Sequence, residues 1–156
     1  MNKAKNVQIT FCLLILFLFM VAGQAWAAEW ILYEQSPSGA LYYDMSSINK
    51  NGNIVRVWTK EIYNQDGKKN AYSILKSLGN PLTNPDALSH QLVLREIDCG
   101  NGKMQSTLLT VYTESGASVF SQQKSFDEWK DIPPDSASKT LKNIICGASR
   151  QERQIE

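Results

Sequence analysis

The chain carries a single histidine, His90, and only three cysteines, Cys12, Cys99 and Cys146. A protein zinc site needs three or four Cys, His or acidic ligands at characteristic spacings, and no such cluster is present. No nucleophile elbow frames His90, which reads as an exposed histidine at a strand end rather than a triad member. Nor does a Gly-rich phosphate loop follow any strand-like run. Gly100-Asn101-Gly102 lies between two such runs and reads as a hairpin turn. The basic excess that a nucleic-acid partner demands is missing, with 16 Lys and Arg against 15 Asp and Glu. Asp44 and Asp98 are the carboxylates best placed for acid–base work, but each ends a strand-like run, where Asp commonly shapes a turn. These absences exclude the familiar catalytic, metal and cofactor classes and leave a non-enzymatic module as the expectation.

One long apolar run is present, Ile9 to Ala22. Lys3 and Lys5 precede it and Ala25-Trp26-Ala27 follows it. This is the layout of a secretory signal peptide, and the run is short of the about 20 residues that span a bilayer. Residues 1–27 are therefore read as a signal peptide, cleaved after Ala27 or Ala28. A lipid anchor would need a Cys at the cleavage site, and Cys12 sits inside the apolar run instead. The expected product is exported to the periplasm, the medium or the cell surface, with no membrane span. It keeps 14 basic and 15 acidic residues, and of its cysteines only Cys99 and Cys146. In an oxidising compartment that even pair implies a bridge, two buried thiols being the alternative. A bridge closing about 47 residues stabilises by roughly 4 kcal/mol in the chain-entropy model.

Strand and turn signals alternate through the mature part. Trp30–Tyr33 and Ala40–Tyr43 flank Pro37-Ser38-Gly39. Asn51-Gly52 marks a tight hairpin into Ile54–Tyr63, a run rich in β-branched and aromatic residues. His90–Cys99, Met104–Thr113 and Ser118–Gln122 follow, with short turns between them. Near the end, Pro133-Pro134 stops the strand pattern. Asp135 or Ser136 can then cap a helix with Ala137, Leu141, Ile144 and Ile145 on one face and Gly147 as its C-cap. The fold class is α+β, a roughly six-stranded antiparallel meander with a C-terminal helix that a Cys99–Cys146 bridge would pin to the sheet. The tail, 149–156, is expected to be flexible.

Asn64 to Ser89 breaks the pattern. It is polar and holds Gly67, Gly79, Pro81 and Pro85, yet Ala71, Ile74, Leu75 and Leu78 fall at helical spacing. The segment reads as a short helix inside a long loop. It is either a partner-binding site presenting Lys68, Lys69, Tyr72 and Lys76, or a cover that lays Ile74, Leu75 and Leu78 over a sheet edge. Aromatic residues are the other signal. Tyr42 and Tyr43 are adjacent in one strand, so they cannot both enter one core, and one of them faces the other side of the sheet. That leaves room for an aromatic patch that recognises a protein or glycan.

An ordered set of these residues resembles the surface-adhesin protein E-like family of bacteria. The set runs from Glu29-Trp30 through Tyr42-Tyr43-Asp44, Ser47-Ile48, Val55-Arg56-Val57-Trp58 and Glu96-Ile97-Asp98-Cys99. It continues with Tyr112, Gly116, Trp129, Ile132-Pro133-Pro134, Ser136, Leu141 and Cys146. The resemblance places a family domain over 28–148. It implies a six-stranded antiparallel sheet whose concave face holds the C-terminal helix through a Cys99–Cys146 disulfide. It further implies an adhesion-type role. The family's namesake is a dimeric surface lipoprotein that binds heparin and host matrix proteins such as vitronectin and laminin. Two departures stand out, the missing lipidation cysteine and a longer segment over 64–89. The absent anchor keeps a second reading open, a periplasmic accessory protein of the envelope. Unpaired sheet edges also make a homodimer possible.

Mass spectrometry of the exported protein should find an N-terminus at Ala28 or Glu29 and a mass two hydrogens below the reduced value. An intact Met1, or two thiols alkylated without reductant, would contradict both expectations.

Overall fold

The computed structural model describes residues 27–123 and 128–151. Residues 1–26, which carry nearly all of the expected signal peptide, and residues 152–156 of the tail lie outside the described residues. Eight strands form one antiparallel sheet: β1 (Trp30–Ser36), β2 (Gly39–Asp44), β3 (Asn49–Asn51), β4 (Ile54–Tyr63), β5 (Leu88–Asp98), β6 (Lys103–Thr113), β7 (Ser118–Gln123) and β8 (Lys130–Asp131). The six main strands lie in the order β1-β2-β4-β5-β6-β7, the meander expected from the turns. The short β3 and β8 pair with β4 and β6. Among the described residues two α-helices join them, α1 (Gln65–Ser77) and α2 (Ala137–Gln151).

Local chemistry sets the connections. The β3–β4 loop is Gly52-Asn53, with Gly52 at φ 60°, a conformation that glycine adopts without strain. After β2 the Asp44 carboxylate accepts bonds from the Ser46 amide (3.0 Å), the Ser46 hydroxyl (2.6 Å) and the Glu29 amide (2.9 Å). It caps a 3-10 turn over Met45–Ser47. Asp98 does the same for the β5–β6 turn, accepting from the Gly100 and Asn101 amides, each at 2.9 Å. Both carboxylates thus hold turns.

Alternation along β4 organises the core. Val55, Val57, Thr59 and Tyr63 point to one side and are buried. Both helices dock on that side. α2 brings Leu141 and Ile145 against Tyr43, Val55, Val57 and Ile97, and α1 brings Leu75 against Tyr63, Leu88 and Val111. Leu88 reaches this side because β5 shifts register between Leu88 and His90, a bulge that reverses its direction.

The C-terminal helix follows the sequence reading at its start. The Ser136 hydroxyl accepts from the Lys139 amide at 3.2 Å, and its carbonyl accepts from Thr140 at 3.1 Å. At its end the helix differs, running through Gly147, expected as its cap, to Gln151. Glycine costs a helix only about 1 kcal/mol relative to alanine, and Gly147 lacks the positive φ of a left-handed cap. Cys146 bridges Cys99 with a Cα–Cα distance of 5.7 Å, tying α2 to the end of β5.

The middle segment holds the larger difference. Its helix starts at Gln65, six residues before the expected apolar face. Asn64 caps it by accepting from the Gly67 amide at 2.9 Å. Gly67 signals a loop in the sequence, but its role is close packing. A Cβ there would sit 2.0 Å from the Ser38 carbonyl oxygen, so only glycine lets this helical turn rest on the β1–β2 connection. The expected cover over a sheet edge also changes. Leu75 is 3% exposed, whereas Ile74 and Leu78 are 60% and 59% exposed. The helix docks on the sheet face through Ala71, Tyr72 and Leu75, which turns Ile74 and Leu78 outward.

Leu141 is fully buried, so Leu141→Ala should cost about 2–5 kcal/mol by loss of transfer energy and a residual cavity. Cys146→Ser should cost about 2–5 kcal/mol. Denaturant midpoints measure both, and wild-type midpoints for the two variants would refute the docking of α2.

Candidate binding face

The same alternation that fills the core sends the other half of each strand to the opposite side of the sheet. On β4 these residues are Arg56, Trp58, Lys60 and Ile62. Their cross-strand neighbours extend the set. Tyr42 lies opposite Lys60 and Leu32 opposite Tyr42. Leu94, Leu92 and His90 lie opposite Trp58, Lys60 and Ile62. Leu108 and Tyr112 follow on β6. None of these side chains belongs to either core cluster, and neither α-helix packs on this side. Leu32 is 46% and Ile62 42% exposed, and the aromatic rings are partly buried among one another. An open sheet surface with Trp, Tyr, Leu and Ile across β1, β2, β4, β5 and β6 is a feature that the packing of the described residues leaves unexplained.

Lys60 stands at the centre of this face. Its ammonium lies 4.2 Å from the Trp30 ring centroid and 5.6 Å from that of Tyr42. A cation over an aromatic face gains about 0.5–2 kcal/mol, more as water is excluded. Burial holds the Lys60 pKa below the ordinary lysine value, against the pull of the Asp44 carboxylate. At one end His90 stacks on Tyr112 with centroids 4.9 Å apart and planes 10° from parallel. Burial, then the charge of Lys60, holds this imidazole below the ordinary histidine value, against Glu114. The unfolded chain therefore takes up this proton first as pH falls, and the neutral ring is the form the fold favours. At the other end Arg56 pairs with Glu96 at 2.9 Å, and Gln105 donates to the second oxygen of Glu96 at 2.6 Å. The face thus has an aromatic and aliphatic middle and polar ends.

The residues picked out in the middle segment lie elsewhere, on α1 and the helix-bearing side. Lys68 is partly buried, pairing with Glu114 at 2.7 Å and reaching the Asp86 carbonyl at 3.3 Å. Lys69 is exposed, 3.7 Å from Asp66. Tyr72 packs beside the second core cluster, and the Lys76 ammonium sits 5.9 Å from its ring centroid. The structure brings Tyr72 and Lys76 together and draws Lys68 inward as a tie between α1 and the β6–β7 turn. Tyr42, by contrast, does emerge on the side opposite Tyr43, as their adjacency requires. Lys60 and the leucines escaped the sequence reading. Their trace was in plain sight, since Leu92-Val93-Leu94 and Leu108-Leu109 are apolar at consecutive positions and so supply both faces of the sheet.

Among the described residues no group of three His, Cys, Asp or Glu side chains is placed to hold a metal. No helix among them is long and apolar enough to cross a membrane. The family model for surface-adhesin protein E matches residues 30–147. The chain belongs to this family. The match covers every described strand and α2 as far as Gly147, including both bridged cysteines. Membership supports an adhesion-type, partner-binding role and an exported or surface location. No curated protein and no solved structure matches the chain.

Because the open face contributes little to the core, Leu32→Ser and Ile62→Thr should each change stability by less than about 1 kcal/mol. Val57→Ala on the buried side should cost more than either. Chemical denaturation of the three variants checks the contrast, and equal losses would mean that something covers the open face.

Proposed function

We propose that this adhesin-family domain is an exported, non-enzymatic module that binds its partner on the open sheet face around Trp30, Tyr42, Trp58 and Lys60. The observation that carries the reading is that apolar face, which neither described α-helix covers and which runs over five strands with a lysine at its centre. Trp and Tyr are the residue types that most often dominate binding energy at protein interfaces. Between a protein and a glycan the face favours a protein. Lys60 already occupies the space over the Trp30 ring that a sugar would stack on. The spread of Leu32, Ile62, Leu92, Leu94 and Leu108 suits a broad contact rather than a saccharide-sized one. Lys69 and Lys76 on α1 lie on the other side of the sheet and take a subsidiary part, as charges that tune approach rather than hold the partner.

The expected export, with cleavage after residue 27, fits either the cell surface or the periplasm, and the site chemistry is the same for both. Vitronectin and laminin, the matrix proteins bound by the family's namesake, are the first probes for surface plasmon resonance. A triple variant, Trp30→Ala, Leu32→Ser and Ile62→Thr, should bind at least tenfold more weakly than wild type, while Lys69→Glu with Lys76→Glu should change Kd less than threefold. Equal binding by the triple variant and wild type would overturn the site. Protease accessibility on intact cells decides the location. Protection from added protease, with capture only of envelope components, would favour the periplasmic accessory role.

A further inference from the structure

Between the two helices the helix-bearing side of the sheet is polar. Glu61 accepts from the Ser38 hydroxyl and from Gln91 at 2.7 Å, and so is already engaged. Beyond it lies Arg95, whose guanidinium donates only to neutral groups among the described residues. Its Nε donates to the Thr59 hydroxyl at 3.1 Å, and its Nη1 reaches Ser106 Oγ at 3.4 Å and Met104 Sδ at 3.9 Å. None of the described residues accepts from Nη2, and no described carboxylate lies within ion-pair distance. A cation drawn out of water without a counter-charge is destabilising, and a guanidinium cannot relieve the cost by losing its proton. Burial does pull its pKa down, against the fields of Tyr33 and Glu61.

The arginine opens into a pocket of about 310 Å³ walled by Met104, Ser106, Ile132 and Pro133, near the lower end of the roughly 300–1,000 Å³ typical of ligand sites. Lys130 adds a second positive charge to its lining. Two acids also line it. Asp131 is held by Lys103 at 3.4 Å, and Glu128 is exposed. Nη2 has no acceptor among the described residues, and the Nη1 contacts are long, so the Nη1–Nη2 edge can receive a carboxylate through two parallel hydrogen bonds. Met104, Ile132 and Pro133 give a short hydrocarbon chain somewhere to lie.

We infer that Arg95, with Ser106 and Lys130, forms a binding site for a carboxylate group carried on a short apolar chain. The ligand is either a small organic acid or the C-terminal carboxylate of a peptide. The site is on the other side of the sheet from the partner face, so it stands or falls independently of that reading.

Titration of the isotope-labelled mature domain with butyrate tests it, read from the Arg95 Nε–H resonance. The resonance should shift and saturate, Arg95→Lys should raise the Kd at least tenfold, and Ser106→Ala should raise it severalfold. Should Arg95 variants fail to fold, Ser106→Ala and the resonance shift itself still decide. A short peptide with an apolar last residue, compared with its C-terminal amide, separates the sources. Binding tighter than butyrate and lost on amidation assigns a peptide terminus, and binding no tighter assigns a small acid. An unmoved Arg95 resonance, equal butyrate binding by a folded Arg95→Lys, or equal competition by sulfate would overturn the inference.

Discussion

The constraint on which the rest of this structure depends is the unbroken two-residue alternation of β4. Across its ten residues no bulge intervenes, so Val55, Val57, Thr59 and Tyr63 share one side from end to end. A single slip would send half of them to the other side, and neither helix would find a continuous apolar floor. Because the strand stays in phase, α2 docks over its beginning and α1 over its end, both on the same face. The neighbouring strands adjust to it. β5 bulges near Ser89 to return Leu88 to the core, and β1 shifts register between Leu32 and Glu34, past the Tyr33 ring that packs 6.3 Å from that of Tyr43.

Placing both helices on one side gives the sheet two chemically different faces. The covered face has apolar clusters at its ends and a polar strip between them, where Thr59, Glu61, Gln91 and Arg95 meet the gap that the helices leave. The open face has the opposite arrangement, an aromatic and aliphatic middle around Lys60 with polar ends. An adhesin gains from this arrangement. Disulfide and helices carry the stability on one side, which frees the other to present apolar surface without weakening the fold. The bridge makes the division durable, since α2 is anchored at Cys146 to the strand end at Cys99 and cannot lift away from the core without straining a covalent link.

Some parts of the candidate site are legible in the sequence and others are not, for definite reasons. That Tyr42 and Tyr43 lie on opposite sides is legible because strand geometry forces adjacent residues apart, but which of them faces outward is not. Lys60 could not be tied to Trp30, since they lie 30 residues apart and meet only because β2 sits between β1 and β4. Lys68, Lys69, Tyr72 and Lys76 stood out as a cluster in a polar segment. Their separate fates followed from where α1 came to rest, which brought Lys68 against Glu114 and Tyr72 into the edge of the core. Arg95 drew no notice in the sequence, as an arginine in a strand is ordinary until its neighbours are known.

The sequence by itself determined the strand order, the turns and the C-terminal helix. These rest on local rules: alternation, glycine at positive φ, and side-chain caps within a few residues. It also left Cys99 and Cys146 as the one pair of cysteines after the apolar N-terminal run. Only the tertiary structure decided that both helices share a face, that Gly67 marks a close helix contact rather than a loop, and that Arg95 has no ion-pair partner among the described residues. Each of these depends on which distant groups approach one another, and local sequence patterns carry no information about an approach made through space.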